Sequence, residues 1–108
     1  MDTSAAFKTA LDKFVVEAQA LCDLDHDTRW PTLEREVLEV DPKGRRYVRI
    51  WKTRAVGGGR YAYCFVDTTN GDVLKPATWK APAKGYRGNI YVGTAADSVT
   101  PYGARYLK

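Results

Sequence analysis

Six side chains that read as one face of a central hairpin carry the chemistry most open to a ligand: Tyr47, Arg49 and Trp51 on one strand, Tyr61, Tyr63 and Phe65 on its neighbour. Aromatic rings offer flat apolar surfaces on which bases stack, and guanidinium groups set among them meet phosphates. Arg45, Lys52, Arg54 and Arg60 edge the same strands and add positive charge. Each stacked base is worth ~1–3 kcal/mol in such sites. The same rings also suit an ordinary sheet, because cross-strand aromatic pairs stabilise neighbouring strands. Under a covering segment they would form a second small core, so the pattern leaves both a ligand platform and a packed layer open.

A second constellation follows in the stretch Gly71 to Tyr91. Lys75, Lys80 and Lys84, with Arg87 between two glycines, can bring cations and backbone N–H groups to a phosphate. The stretch lacks the Gly-Lys-Ser/Thr ending of a P-loop, and a solvated basic loop has the same composition. Asp25, His26 and Asp27 are metal-ligand residue types, yet adjacent residues rarely aim at one point, and a helix-terminal acidic loop is the expectation there. Ser4 and Ser98 have no histidine nearby in sequence, and the lone His26 has no recognisable nucleophile partner. The expectation is a non-catalytic protein with no metal and no cofactor.

These residues need elements to position them. From Ser4 to Cys22, Phe7, Leu11, Phe14, Val15, Ala18, Leu21 and Cys22 recur at three- and four-residue steps, which predicts an amphipathic helix over 4–22 with one buried stripe. Asp2, Thr3 or Ser4 can cap its start. Residues 33–75 read as antiparallel strands: Val37, Leu38 and Val40, then the turn Asp41-Pro42-Lys43-Gly44, then an alternating run from Arg46 to Arg54. Gly57-Gly58-Gly59 makes the next turn, Arg60 to Asp67 returns, and Asn70-Gly71, a strong hairpin pair, leads into Asp72 to Lys75. Strict alternation would place Val48, Ile50, Ala62, Cys64 and Val66 toward the helix and the aromatic set on the other side. Residues 76–108 hold Pro76, Pro82, Gly85 and Gly88 with six large side chains, and predict an irregular, ordered wrapping segment with a short strand at Asn89 to Val92. The expected architecture is a single α+β domain over 1–108, a helix on a meander of about four strands.

Composition bounds the function further. With 44% hydrophobic residues the chain has enough apolar surface for one core, and it contains no run near the ~20 apolar residues that cross a bilayer. The start of the chain lacks the basic and apolar regions of a secretory signal, so action where it is made is expected. Cys22 and Cys64 fall on apolar faces and read as buried free thiols in a reducing cytoplasm. Charge is unevenly divided: residues 1–44 hold five Lys/Arg against ten Asp/Glu, a net of −5, while residues 45–108 hold twelve against three, a net of +9. The basic part can steer anionic partners, and the two parts can also simply complement each other within one fold.

From about Arg45 through Tyr106 the chain resembles a group of small, largely uncharacterised proteins encoded by tailed bacteriophages. The resemblance rests on Tyr-Cys-Phe-Val-Asp at 63–67, on GDVLKPATWKAPAKGYRGNIY at 71–91 and on Tyr102-Gly103-Ala104-Arg105-Tyr106-Leu107. It implies an accessory protein acting in the bacterial cytoplasm during infection and transfers no catalytic residues. The leading expectation is therefore a binder of a phosphate-bearing nucleotide ligand, most simply single-stranded nucleic acid. Arg49, Trp51, Tyr61 and Tyr63 would stack or pair with bases, while Arg45, Arg54, Arg60, Lys80, Lys84 and Arg87 would hold phosphates. Two alternatives use the same surface. One is a counter-defence sponge for a small cyclic or linear nucleotide, with Trp79, Tyr86, Arg87 and Asn89 walling a pocket between subunits of a homo-oligomer. The other is a protein-binding inhibitor of a host enzyme, its interface rich in Trp, Tyr and Arg.

Overall fold

Phe7, Leu11, Phe14, Ala18 and Cys22 are all buried along one side of helix α1 (Ala5–Arg29), in keeping with their spacing. The structure, a computed structural model, describes residues 5–41, 46–53 and 59–105. The helix runs past Cys22, where an end was expected, for nearly two more turns. Its acidic stretch is tolerated because the charges are paired. Asp25 bonds Arg29 at 3.0 Å, and Arg35 reaches Asp27 at 2.5 Å and Asp23 at 3.9 Å. His26 and Arg29 in the last turn also suit the negative end of the helix dipole. The helix stops just before Trp30-Pro31, since a residue preceding proline is pushed out of the helical conformation. Asp25, His26 and Asp27 thus belong to the helix and not to a loop.

Five strands follow as an antiparallel meander in chain order: β1 (Val37–Asp41), β2 (Tyr47–Thr53), β3 (Arg60–Asp67), β4 (Asp72–Pro76) and β5 (Pro82–Asn89). The α+β class and the helix-on-sheet arrangement agree with the sequence reading. The fifth strand arises from the stretch expected to be irregular. Pro82 sits at the first position of an edge strand, where its missing N–H costs no ladder bond. The strand ends at Asn89, where the expected short strand would have begun. Asn70-Gly71 does not form a two-residue turn; the loop spans 68–71, with Gly71 at φ +80° donating to the Asp67 carbonyl at 2.8 Å. Pro42, Lys43, Gly44, Gly57 and Gly58 of the other two expected turns lie outside the described residues.

One irregularity decides which side chains share a face. Val48 opposes Val66 and Ile50 opposes Cys64, but Trp51 opposes Ala62, Lys52 opposes Tyr61 and Thr53 opposes Arg60. Tyr63 is the extra residue of a β-bulge, and a single extra residue reverses the alternation beyond it. The strict alternation expected for β3 is therefore corrected. Tyr63 joins Cys64 and Val66 in the core under the helix, Tyr61 lies on that same side, and Ala62 takes the face of Trp51.

The described part of the C-terminal segment packs on the helix side of the sheet. A 3-10 turn (Ala95–Asp97) is followed by a two-stranded hairpin, β6 (Val99–Thr100) and β7 (Gly103–Ala104). Ala95, Val99 and Ala104 share one core with Phe7, Phe14, Ile50 and Val73. Glu17 accepts the Ala95 N–H at 3.0 Å, and Tyr63 donates its hydroxyl to the Thr100 carbonyl. Gly88 makes room for this crossing, because a Cβ there would sit 1.9 Å from Ser98 Oγ and 2.9 Å from Ser98 Cα. No helix among the described residues is long and apolar enough to cross a membrane.

Candidate functional site

The face of the sheet away from the helix carries Arg49, Trp51, Phe65 and Leu74, with Asp41, Arg49, Phe65, Leu74 and Tyr86 in one cross-strand row. The 77–81 loop between β4 and β5 folds back over part of it. Thr78 holds this loop through its hydroxyl, which accepts the N–H groups of Lys80 and Ala81. Trp79 is thereby laid on Trp51, with ring centroids 6.4 Å apart and planes inclined by 27°. Such an offset stack lies in the favourable range for aromatic pairs.

Arg49 fastens the arrangement. Its guanidinium lies 4.1 Å from the Trp51 ring centroid and 5.6 Å from that of Trp79, donates to the Trp79 carbonyl at 2.7 Å, and pairs with Asp41 at 2.7 Å. Arg60 covers Trp51 from another side at 4.5 Å, and Lys80 lies 5.0 Å from the Trp79 centroid. Cation–π contacts of this kind contribute roughly 0.5–1 kcal/mol each at exposed sites. Trp51 is left only 6% exposed, whereas Trp79 is 58% exposed. The accessible ring of the site is therefore Trp79, and Trp51 is the surface that holds it.

Several acids share this face and claim their own partners. Asp41 binds Arg49, Asp67 binds Arg46, and Glu39 accepts from Thr53. Arg60, Lys80 and Lys84 carry no carboxylate partner within ion-pair distance among the described residues. Two donors inside the stack, Arg49 Nε and Trp51 Nε1, are buried without an acceptor. Most buried polar groups in folded proteins are satisfied, and an unpaired donor costs about 1–3 kcal/mol.

The structure gathers Arg49, Trp51, Arg60, Trp79 and Lys80 into one cluster and places Tyr86, 63% exposed, on the same face. It separates the rest. Tyr63 is 1% exposed in the core, where burial drives its phenol well above the ordinary range, so it offers no stacking surface. Tyr61 lies on the helix side beside Lys52, and burial raises its phenol too. Lys52, expected at the basic edge, is buried; its ammonium donates to the Pro101 carbonyl at 2.6 Å and pairs with Glu36 at 3.3 Å. Arg87 turns to the carbonyls of Gly85 and Arg105, and Asn89 bonds the Asn70 carbonyl and Asp72. The cavity of about 490 Å³ that Tyr86 and Asn89 line holds Asp72 and Asp97, and neither Trp79 nor Arg87. Arg45 and Arg54 lie outside the described residues.

The pairing of Trp79 with Trp51 was not visible in the sequence, where 28 residues separate them. The nearest signal was Trp79 between Thr78 and Lys80 in a loop bounded by Pro76 and Pro82. Fold and site together define a small α+β meander domain with one aromatic, cationic face. The chain belongs to a family of unknown function, DUF7717, whose model matches residues 6–101. No curated protein and no solved structure matches it.

Proposed function

We propose that the Trp79 face is a non-catalytic binding surface for a phosphate-bearing nucleotide ligand, most simply single-stranded nucleic acid. The protein would be a phage accessory factor acting in the cytoplasm of the infected bacterium. The observation that carries this reading is the exposed Trp79 ring, pre-positioned by Trp51 and Arg49 and flanked by Lys80 and Arg60. A ring already held in place loses little freedom when a base stacks on it, which favours binding. The cations Arg60 and Lys80 beside it, without a carboxylate partner among the described residues, suit phosphates.

The test is fluorescence anisotropy with a labelled single-stranded oligonucleotide across a salt series. Affinity should fall steeply with salt, since each neutralised phosphate releases a counterion. Trp79→Ala should weaken binding by ~1–3 kcal/mol, and a double Arg60→Ala, Lys80→Ala variant should flatten the salt dependence. Absence of binding at low ionic strength would remove the proposal. So would Trp79→Ala binding as tightly as the parent with an unchanged circular dichroism spectrum.

A further inference from the structure

Helix α1 is apolar on two sides. The stripe from Phe7 to Cys22 is spent on the core. On the opposite side Val16, Ala20 and Leu24 recur at four-residue steps, and all three are exposed. Val16 and Leu24, each 69% exposed, are the most exposed large apolar side chains among the described residues. Single apolar residues on a surface are ordinary, but residues four apart line up as a continuous ridge, the feature against which a second helix packs. Ala20, at the middle of the ridge, lets another helix come close, since the side chains at a crossing set the distance between the axes.

We propose that this ridge is a homodimer surface, on which α1 of a second copy packs antiparallel about a two-fold axis at Ala20. A two-fold contact uses the same patch on both subunits, so each residue meets the one equally far on the other side of the axis. Val16 then packs on Leu24 of the partner subunit, and Lys13 meets Asp27 of the partner subunit, at both ends of the contact. The charges select this direction. In a parallel pair Lys13 would face Lys13 and Asp27 would face Asp27, and like charges brought together oppose association. Lys13 already lies 3.0 Å from Glu17, and Asp27 is bound by Arg35, but exposed pairs of this kind are weakly held and leave both groups able to share a further partner. Glu17 and Asp23 also fall opposite each other, yet both are turned to the flanks of the ridge, where Glu17 accepts the Ala95 N–H at 3.0 Å and Asp23 accepts the Gln19 amide at 3.0 Å. The Trp79 face lies on the far side of the sheet from the helix, so the dimer presents both copies of it outward. The proposal stands apart from what that face binds.

A ridge of this length makes a small interface, under ~1,200 Å², where association is weak and transient. Sedimentation equilibrium of the full chain over a concentration series should therefore show monomer passing to dimer and no further, with a dissociation constant on the order of 10–100 μM. Ala20→Glu should weaken association by about tenfold or more, and Leu24→Lys is a second variant with the same expected effect. Both positions are exposed, and an unchanged circular dichroism spectrum checks that the fold is kept. Lys13→Glu, which sets like charges across from Asp27, should weaken the dimer at low salt. Ala20→Cys should cross-link to its own copy under mild oxidation, because a side chain on the axis meets itself, while the buried native thiols stay out of the reaction. Thr9→Cys, exposed on the same side of the helix about three turns away, should not cross-link. A chain that stays monomeric into the millimolar range would overturn the proposal. So would a dimer unchanged by both Ala20→Glu and Leu24→Lys, species larger than a dimer, or Thr9→Cys cross-linking as readily as Ala20→Cys.

Discussion

Asp67 shows how one residue can organise a turn and an edge of the candidate face. Its carboxylate accepts the Thr69 N–H at 2.8 Å and hydroxyl at 2.6 Å, and Arg46 approaches at 3.3 Å. Burial alone would raise its pKa, but these donors outweigh burial and hold it below the ordinary carboxylate value. A depressed folded value means that the stabilisation is present above the unfolded value of about 3.8 and is lost as pH falls through the lower folded value. Asp67→Ala should cost ~1–3 kcal/mol at neutral pH, the usual penalty for stranding buried donors. Urea midpoints taken down through the acid range should converge for the variant and the parent. A constant difference between the two curves at every pH would contradict this account. Lys52 on the opposite side has the reverse sign. Burial would lower its pKa, but the neighbouring Cys22, Tyr61 and Glu36 raise it, so its contribution is lost only as pH rises through a value above 10.5.

At the scale of elements, the close approach of β5 to the C-terminal segment is the tightest test of the packing. The missing side chain of Gly88 allows Ser98 and Val99 to settle on the sheet. Gly88→Ala should destabilise the protein by ~1–3 kcal/mol, as overpacking in a filled core does. Ser98→Gly in the same chain should recover only part of that loss. It removes the contacts at 1.9 Å and 2.6 Å but leaves the backbone Cα at 2.9 Å. Equal thermal midpoints for Gly88→Ala and the parent would show that the segment sits elsewhere. The β-bulge at Tyr63 is the second decisive element. It sends Tyr63 into the core and carries Ala62 to the outer face beside Trp51.

The whole molecule divides its two surfaces by chemistry. The helix carries Asp23, Asp25 and Asp27 with their basic partners, and the outer sheet face carries the Trp79 cluster with cations left unpaired by acid among the described residues. Between these surfaces lies a single core that includes both cysteines. Burial pushes the thiols of Cys22 and Cys64 up, and the thiolate is the reactive form. A thiol reagent at neutral pH should therefore label neither cysteine in the native protein, and label both together across the denaturant transition that circular dichroism reports. Fast labelling of one thiol before unfolding would mean that the helix side opens locally.

Much of this architecture is legible from pattern alone. The stripe from Phe7 to Cys22 fixes a helix and its buried side, and the alternation of Val48 and Ile50 fixes a half-buried strand, because periodicity reports which residues must leave water. The charge division and the two buried thiols follow from composition in the same way. Faces beyond the bulge were beyond such reasoning, since one unpaired residue reverses every later side chain without any change in the local alternation. The extent of the helix past Cys22 depends on Arg35, a residue outside it, and β5 exists because β4 offers an edge to sequence that is too rich in proline and glycine to announce a strand. The candidate site shares that origin. The residue types that compose it are written in the chain, but which ring is covered and which is offered depends on Trp79 returning to Trp51 from 28 residues away, a contact that only the folded sheet creates.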